Sequence, residues 1–319
     1  MENIFTFGRY LREKFGYKIY KVPISLPGFT CPNIDGSVAI GGCTFCENES
    51  FSPNLGKSIQ PKKTGLSHFS THNPFLETQL LTLESQFDKT TIKLTKKFKA
   101  EKFLVYFQSF SNTYAPFETL KALYEKALSF ENVVGLSIGT RSDCVDEKLL
   151  DYLAQLSKKY EIWIEFGIQS AFDDTLAKIN RGHNFASIEE AVLACKKRGL
   201  KVCGHLIFGL PEEDENMMLE SVKKSIDIGI DSFKFHPLYI VKNTALANDV
   251  RNGKFSPMSE EKFLAILIKA IKILPENISV QRVSAGVDDE TLIAPQWCKI
   301  KHSQIKNVRT KLLEEELVY

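Results

Sequence analysis

The feature that most constrains the fold is a repeated alternation of strand-like and helix-like segments. Apolar, β-rich runs recur every ~30 to 40 residues through the middle of the chain, and apolar residues at helical spacing separate them. The predicted strands are 17–25, 102–109, 133–140, 161–170, 201–211, 231–238 and 277–284. Strands joined by helices in this way pair in parallel. We therefore expect either a doubly wound open sheet or a full or partial (β/α) barrel.

One helix boundary can be predicted from local chemistry. Ser187 and Glu190 have the spacing of a capping box, and Gly199 is suited to ending the same helix. We therefore expect this helix, which follows the fourth predicted strand, to begin at Ser187.

Polar residues stand where several predicted strands end. They are Gln108, Ser109, Ser111, Asn112, Thr140, Arg141, Gln169 and His236. The carboxyl ends of parallel strands meet at one edge of a sheet, where barrel and open-sheet enzymes both build their sites. Each residue alone could be an ordinary loop polar group or helix cap. Their recurrence over four strands predicts a functional site at this edge.

Three of the seven cysteines follow the first predicted strand, at spacing C-x11-C-x2-C. Cys43 and Cys46 form a two-ligand hook, because two intervening residues let both sulfurs face one metal centre. Cys31 would be the third ligand. A structural zinc site requires four ligands, whereas three sulfurs suit an iron–sulfur cluster with one iron left open. The cluster is favoured, and zinc remains the alternative.

The remaining thiols and the composition limit the class of protein. Odd cysteine count and the absence of a secretory signal favour reduced thiols, and no uncharged apolar run reaches membrane-spanning length. We expect a cytoplasmic protein with no membrane contact. The other four cysteines fall singly in strand and helix patterns, as buried inert thiols do. They are Cys144, Cys195, Cys203 and Cys298.

The formal net charge of the chain is only +2, but basic residues cluster in two segments. The first contains Lys89, Lys93, Lys96, Lys97, Lys99 and Lys102, and the second contains Lys299, Lys301, His302, Lys306, Arg309 and Lys311. Solvated helix faces are the simpler interpretation, and a nucleic-acid surface is the alternative.

The chain resembles the radical S-adenosylmethionine (SAM) enzymes. The matching blocks, in order, are TCPNIDG, GGCTFC, YFQSFSNTYAP, SIGTRSDC, EFGIQS, NRGH, HLIFGLP, KFHPLYIVKNT and LIAPQWCKIK. The common cluster motif of that family is C-x3-C-x2-C. The longer first gap found here is typical of the branch containing the elongator catalytic subunit and of a related bacterial subfamily. Asn243 departs from the pattern, where glycine is expected before the threonine.

The resemblance implies an α/β fold, a partial (β/α)6 TIM-like barrel with a short C-terminal extension. The radical SAM core would span residues 1–245, with the cluster loop at 29–50. Residues 246–319 would form a βα or helical extension packed on the core.

The resemblance also implies the cofactors and their ligands. Cys31, Cys43 and Cys46 would hold a [4Fe–4S] cluster, whose reduction lets SAM be cleaved to methionine and a 5′-deoxyadenosyl radical. The residues expected to contact SAM are Ser109, Ser111, Asn112, Thr140, Gln169, Arg181 and His205. Among these, Gln169 would bond the ribose and Arg181 the SAM carboxylate.

The substrate is implied by the bacterial subfamily, which modifies a substituent on the wobble uridine of transfer RNA. A low-potential electron donor of flavodoxin or ferredoxin type would be a second partner. One alternative is a radical SAM enzyme of anaerobic metabolism that acts on a small molecule or a protein. A zinc-binding module without catalysis is the remote alternative.

Overall fold

The computed structural model describes residues 2–47, 66, 67, 70 and 72–319. Positions 48–50 of the predicted cluster loop lie outside the described residues. Seven parallel strands form one sheet in which neighbours follow chain order. They are β1 (Ile19–Ile24), β2 (Lys102–Phe107), β3 (Val133–Thr140), β4 (Glu161–Gln169), β5 (Lys201–Phe208), β6 (Ser232–Pro237) and β7 (Ser279–Arg282).

The sheet is curled into a half-barrel, and two side-chain contacts reveal the curvature. Neighbouring strands lie about 4.8 Å apart, so the edges of a flat seven-stranded sheet would be about 29 Å apart. Lys21 Nζ on β1 nevertheless lies 2.6 Å from Gln281 Oε1 on β7. The same ammonium lies 2.6 Å from Glu165 Oε1 on β4. The predicted partial TIM-like α/β barrel is confirmed, with its seventh strand coming from the segment after residue 245.

Helices pack against the outer face of the half-barrel and around its ends. The longer ones are Phe7–Phe15, Leu76–Phe98, Phe117–Leu128, Glu147–Ser157, Phe185–Lys197, Glu215–Asp227, Glu260–Lys272 and Lys301–Glu314. The shorter ones are Pro32–Asp35, Asp173–Lys178, Ala245–Arg251 and the 3₁₀ turns Ser142–Cys144 and Gln296–Lys299. Two small strand pairs join Glu2–Asn3 to Leu317–Val318 and Ile240–Val241 to Leu292–Ala294.

The helix expected to begin at Ser187 begins earlier, so that prediction is wrong. Asn184 is its N-cap, and the Asn184 side chain accepts a hydrogen bond from the Ser187 backbone N–H. Asparagine and serine are equally good N-caps, so local chemistry cannot choose between the two sites. The Ser187 hydroxyl lies instead 3.1 Å from Ser142 Oγ in the turn after β3.

Apolar packing makes the wall of the half-barrel rigid. On β2, Val105 and Phe107 are buried against Leu120 and Tyr124 of the helix Phe117–Leu128. The Phe107 and Tyr124 rings meet edge to face, with centroids 5.4 Å apart. Burying each such side chain contributes about 1.5–3 kcal/mol. This wall fixes where the strand ends stand.

The N-terminal helix Phe7–Phe15 closes the amino end of the half-barrel. Glu161, the first residue of β4, accepts hydrogen bonds from Tyr10 (2.6 Å), Trp163 (2.7 Å) and Lys201 (2.8 Å). The Phe7 ring packs edge to face on Trp163, with centroids 5.1 Å apart. Access to the interior is therefore from the carboxyl ends of the strands.

The first lysine cluster runs away from that open end. Its helix, Leu76–Phe98, starts beside the carboxyl end of β1, where Gln86 bonds the backbone of Ser25. The helix ends beside the start of β1, where Phe98 stacks on Tyr20 at 5.6 Å. The residues nearest the amino end are Lys96, Lys97, Lys99 and Lys102, at the far end of the strands from the candidate site.

Candidate active site

The cysteine loop after β1 is shaped by a short helix and two glycines. Cys31 precedes the helix Pro32–Asp35. Gly41 and Gly42 have positive φ values of 88° and 77°, a conformation that favours glycine. The chain turns back there, and the Gly42 N–H donates to the Asn33 carbonyl at 2.8 Å. This turn brings the second and third cysteines back beside the first.

The three thiols of Cys31, Cys43 and Cys46 line one cavity of about 150 Å³, which we call the cysteine cavity. Among the described residues, their sulfurs do not all lie within 4.8 Å of one another. Burial raises the pKa of Cys46, and the neighbouring Cys43 and Cys31 raise it further. The three thiols therefore interact electrostatically at one cavity.

Two buried arginines stand beside these sulfurs. Arg141 Nη1 lies 3.9 Å from Cys31 Sγ, and Arg181 Nη1 lies 3.8 Å from Cys43 Sγ. Arg141 is held in place by Asp143, with contacts of 2.6 and 2.8 Å. Arg181 Nη2 donates to the Gly167 carbonyl at 2.5 Å. The positive charge placed here would stabilise thiolates or an anionic cluster.

The NRGH turn docks directly on the cysteine loop. Asn33 Nδ2 donates to the backbone carbonyls of Asn180 (2.5 Å) and Arg181 (2.8 Å). Gly182 has a φ of +77°, and a Cβ there would lie 2.3 Å from Asn33 Oδ1. The glycine is needed both for the backbone conformation and for this approach. The contact carries Arg181 into the cysteine cavity.

Most of the residues expected to contact SAM line the same cavity. They are Ser111, Thr140, Gln169, Arg181 and His205. Gln169 has a φ of +69°, which turns the chain at the end of β4. Ser109 and Asn112 are buried and do not line the cavity. Ser109 Oγ contacts Ser25 Oγ at 2.5 Å, and Asn112 Nδ2 donates to the Gly139 carbonyl at 2.9 Å.

A second cavity of about 180 Å³ adjoins the cysteine cavity, and we call it the rim cavity. The two share Phe45, Tyr106, Gln108, Gln169 and His205 as lining residues. The rim cavity adds His236, Arg282 and Lys301. Tyr106 and Arg282 were not expected from the sequence. The signal at Tyr106 is a polar side chain at an inward position of an otherwise apolar strand, which is visible only once the curvature is known. Arg282 ends a strand with three polar residues and has no such signal.

The floor beneath both cavities is a polar layer centred on the fully buried Glu165. Its carboxylate binds Lys21, Lys234, Ser137 and, at 2.8 Å, His205 Nε2. Burial alone would raise the pKa of Glu165, but the two ammonium groups outweigh it and hold that pKa well below the ordinary value. The carboxylate is therefore ionised at neutral pH and paired with lysines from β1 and β6.

The other four cysteines are buried, as expected. The sulfur of Cys203 lies within 4.8 Å of potential ligand atoms of Glu165 and His205. Burial raises the pKa of Cys203 to about 12, so its thiol stays protonated. The carboxylate there already binds two lysines. This triad is therefore part of the polar layer rather than a metal site.

Comparison with known families identifies the architecture. The profile of the Radical SAM superfamily matches residues 40–224, more than half of the chain, and the Radical SAM C-terminal domain matches residues 230–314. The chain belongs to the radical SAM superfamily. Its cofactors are SAM and a [4Fe–4S] cluster. The superfamily match begins after Cys31, so the role of that cysteine depends on the loop geometry described above.

Three relatives bear on the subfamily. YtqA of Bacillus subtilis is 35% identical over 92% of this chain and 84% of its own length. A tRNA uridine(34) acetyltransferase of Methanocaldococcus infernus is 26% identical over 57% of this chain and 34% of its own length. The Elp3 structure from the same archaeon superposes with a TM-score of 0.59 at 17% identity, covering 93% of this chain and 63% of that one. The expected resemblance to the elongator-type branch is confirmed.

The described part of the chain contains no helix that is long and apolar enough to span a lipid bilayer.

Replacing Glu165 by Gln should destabilise the fold by about 3–5 kcal/mol at neutral pH, because Lys21 and Lys234 would keep buried charges without a counter-charge. The folded-state pKa of Glu165 lies well below its ordinary 4.5. Its stabilisation is therefore complete above pH 4.5 and is lost as the pH falls toward the folded-state value. Urea unfolding of wild type and variant, at neutral pH and in acid, measures the difference.

The matched control is Glu118→Gln, which removes a carboxylate that is 79% exposed and 3.7 Å from Lys148. That change should cost at most about 1 kcal/mol. Equal unfolding midpoints for the two variants would contradict the role assigned to Glu165.

Proposed function

We propose that Cys31, Cys43 and Cys46 hold the [4Fe–4S] cluster in the cysteine cavity. The observation that carries this proposal is the arrangement of the thiols: three cysteines line one cavity beside two buried arginines. A structural zinc site requires four ligands, so a set of three sulfurs argues against the zinc alternative. When bound, the cluster supplies the electron that cleaves SAM into methionine and a 5′-deoxyadenosyl radical.

Arg181 and Gln169 are the proposed SAM ligands. Arg181 Nε is buried and has no hydrogen-bond partner among the described residues, although both of its terminal nitrogens have contacts. A SAM carboxylate would supply the missing acceptor, and a planar guanidinium suits it. Gln169 lines both cavities. It would bond the ribose of SAM at the boundary between the cofactor and the substrate.

Ser111, Thr140 and His205 complete the proposed SAM pocket. Ser109 and Asn112 act behind it, because their hydrogen bonds fix the loop after β2 against β1 and β3. The apolar wall and the closed amino end limit water around the radical.

The remaining features of the proposal are the domain division, the electron donor and the location. We propose a core over residues 1–245 and an extension over 246–319. A flavodoxin or ferredoxin would deliver the electron, in the cytoplasm.

We also propose that the substrate is a transfer RNA, altered at a substituent of the wobble uridine. One of the relatives is itself a tRNA uridine(34) acetyltransferase. The second basic cluster supports this substrate, because its helix, Lys301–Glu314, begins at the rim cavity. The first cluster gives less support, because much of it lies toward the amino ends of the strands. A small-molecule substrate is the second candidate, favoured by a rim cavity of only about 180 Å³.

Anaerobically reconstituted wild type should carry about four irons per chain. Replacing Cys31, Cys43 or Cys46 by Ala should each abolish cluster content, measured by iron analysis and by visible absorption. Cys195→Ala is the control, since that buried thiol packs in a helix away from the cavity. Stoichiometric zinc without iron in the wild type would refute the assignment.

Arg181→Ala should weaken SAM binding by about 1.5–3 kcal/mol, the range for a hydrogen bond to a charged group, and Gln169→Ala by about 0.5–1.5 kcal/mol. Iron content should be unchanged, because Asn33 holds the NRGH turn through the Arg181 backbone carbonyl rather than its side chain. Equilibrium dialysis with labelled SAM measures both variants.

Arg198→Ala is the control for this experiment, since Arg198 pairs with Asp151 away from the cavities. SAM affinity that is the same in all three variants as in the wild type would show that the pocket has been misplaced.

Neutralising Lys299, Lys306 and Arg309 to Gln should weaken binding of bulk tRNA whatever its sequence. Each lost phosphate contact should flatten the slope of log affinity against log salt by about 0.7–0.9. The matched control neutralises Lys93, Lys96 and Lys97, which lie toward the amino ends of the strands. Filter binding over a salt series measures both slopes.

Nucleoside mass spectrometry then tests the reaction itself. A deletion strain should show an altered wobble-uridine profile, and the wild-type gene should restore it. An unchanged profile, together with equal salt slopes for the two triple variants, would exclude tRNA and favour the small-molecule candidate.

A further inference from the structure

The rim cavity carries positive charge without a matching acid. Arg282, the last residue of β7, and Lys301, the first residue of the last helix, both line it. Among the described residues, no Asp or Glu lines this cavity, and neither cation has a carboxylate oxygen within 4 Å. Partial burial and the charge of Arg282 lower the pKa of Lys301, while Asp288 raises it. The two cations thus repel each other at one opening.

Their proximity is built into the fold. Gly286, in the loop after β7, has a φ of +156°, and a Cβ there would lie only 1.8 Å from the Cys298 carbonyl oxygen. The loop therefore lies directly against the turn Gln296–Lys299, which precedes Lys301. Only glycine permits this approach. The fold maintains the close pair of cations despite their repulsion, as a ligand site would require.

A half-buried imidazole lines the same cavity as this pair. His236 also lines the rim cavity, and its Nε2 is buried with no hydrogen-bond partner among the described residues. Its ring centroid is 5.7 Å from that of His205. Burial, followed by the charge of Arg282, holds the pKa of His236 well below its usual range. His236 is therefore neutral at physiological pH, and its Nε2 can donate or accept one hydrogen bond with a ligand, according to the tautomer.

The rim cavity is placed for a substrate rather than for the cofactors. Tyr106, Gln108 and Gln169 form a wall common to both cavities. A molecule in the rim cavity would therefore lie next to a molecule in the cysteine cavity.

We propose that the substrate enters the rim cavity with an oxyanion, a carboxylate or a phosphate, bound by Arg282 and Lys301. Arg282 offers a planar fork and Lys301 a point charge, both suited to such a group. The unpartnered His236 Nε2 supplies a further hydrogen bond. The proposal rests on the proposed function, which places the cofactors in the cysteine cavity, and it adds the chemical class of the substrate group.

The test uses the reconstituted full-length protein with SAM under anaerobic conditions, and it measures binding by calorimetry. The probes are 5-carboxyuridine, its neutral carboxamide, uridine 5′-monophosphate and uridine. The carboxylate and carboxamide differ in charge at nearly constant shape. The monophosphate differs from uridine by one phosphate group, so this pair tests whether a backbone phosphate is bound.

At least one anionic probe should bind about tenfold or more tightly than its neutral partner, as a charged hydrogen bond requires. Arg282→Gln and Lys301→Gln should each reduce that ratio to near one. Lys262→Gln, an exposed lysine that does not line the cavity and has no role in the proposed site, should leave it unchanged. Tighter binding of 5-carboxyuridine than of its carboxamide would assign the oxyanion to the base substituent. Tighter binding of uridine 5′-monophosphate than of uridine would assign it to the backbone.

Equal binding of charged and neutral probes by the wild type, or binding of none, would overturn the proposal. So would a charge preference that survives both Arg282→Gln and Lys301→Gln. The ratio needs no turnover. A protein that holds zinc instead of iron would therefore refute the proposed function while leaving this ratio measurable.

Discussion

The open end of the half-barrel depends on charge compensation at one buried carboxylate, Glu165. A single ionised carboxyl at that depth would be strongly disfavoured. Lys21 arrives from three strands away and Lys234 from two strands away on the other side. On a flat sheet Lys21 would lie about 14 Å from the strand of Glu165, at the limit that two extended side chains can span. Curvature brings these charges together, and Lys21 extends the link to Gln281 on the opposite edge strand.

The curvature in turn assembles the site. Carboxyl ends of strands that would be spread along a flat edge instead face a common space, and the loops after them come into contact. The contact between Asn33 and the NRGH turn joins the loop after β1 to the segment after β4. One short amide side chain thus sets the distance between Cys43 and Arg181. Gly182 keeps that distance short, because any Cβ would collide with Asn33.

The seven strands and the strand-end residues of the cavities could be predicted from local signals, namely apolar runs and polar residues where those runs stop. Arg181 and His205 were expected only from the family resemblance. Glu165 and Tyr106 could not be found in this way, since they sit inside apolar runs and their inward direction follows from curvature. Arg282 and Lys301 meet only through the packing of Gly286, a long-range contact with no local pattern. The prediction that a helix begins at Ser187 was wrong because Asn184 is an equally good N-cap.

The ionised groups of the site lie in three places, separated by neutral side chains. His205, whose pKa burial lowers to about 4, and the protonated thiol of Cys203 are neutral at physiological pH. Burial also lowers the pKa of Lys21 to about 8, so this lysine remains largely charged. Fixed charge lies in the Glu165 layer, where one carboxylate serves two ammonium groups, and beside the cysteines, where Arg141 and Arg181 stand. It also lies at the rim, where Arg282 and Lys301 have no carboxylate among the described residues. An anionic substrate group at the rim would do for Arg282 and Lys301 what Glu165 does for the lysines below.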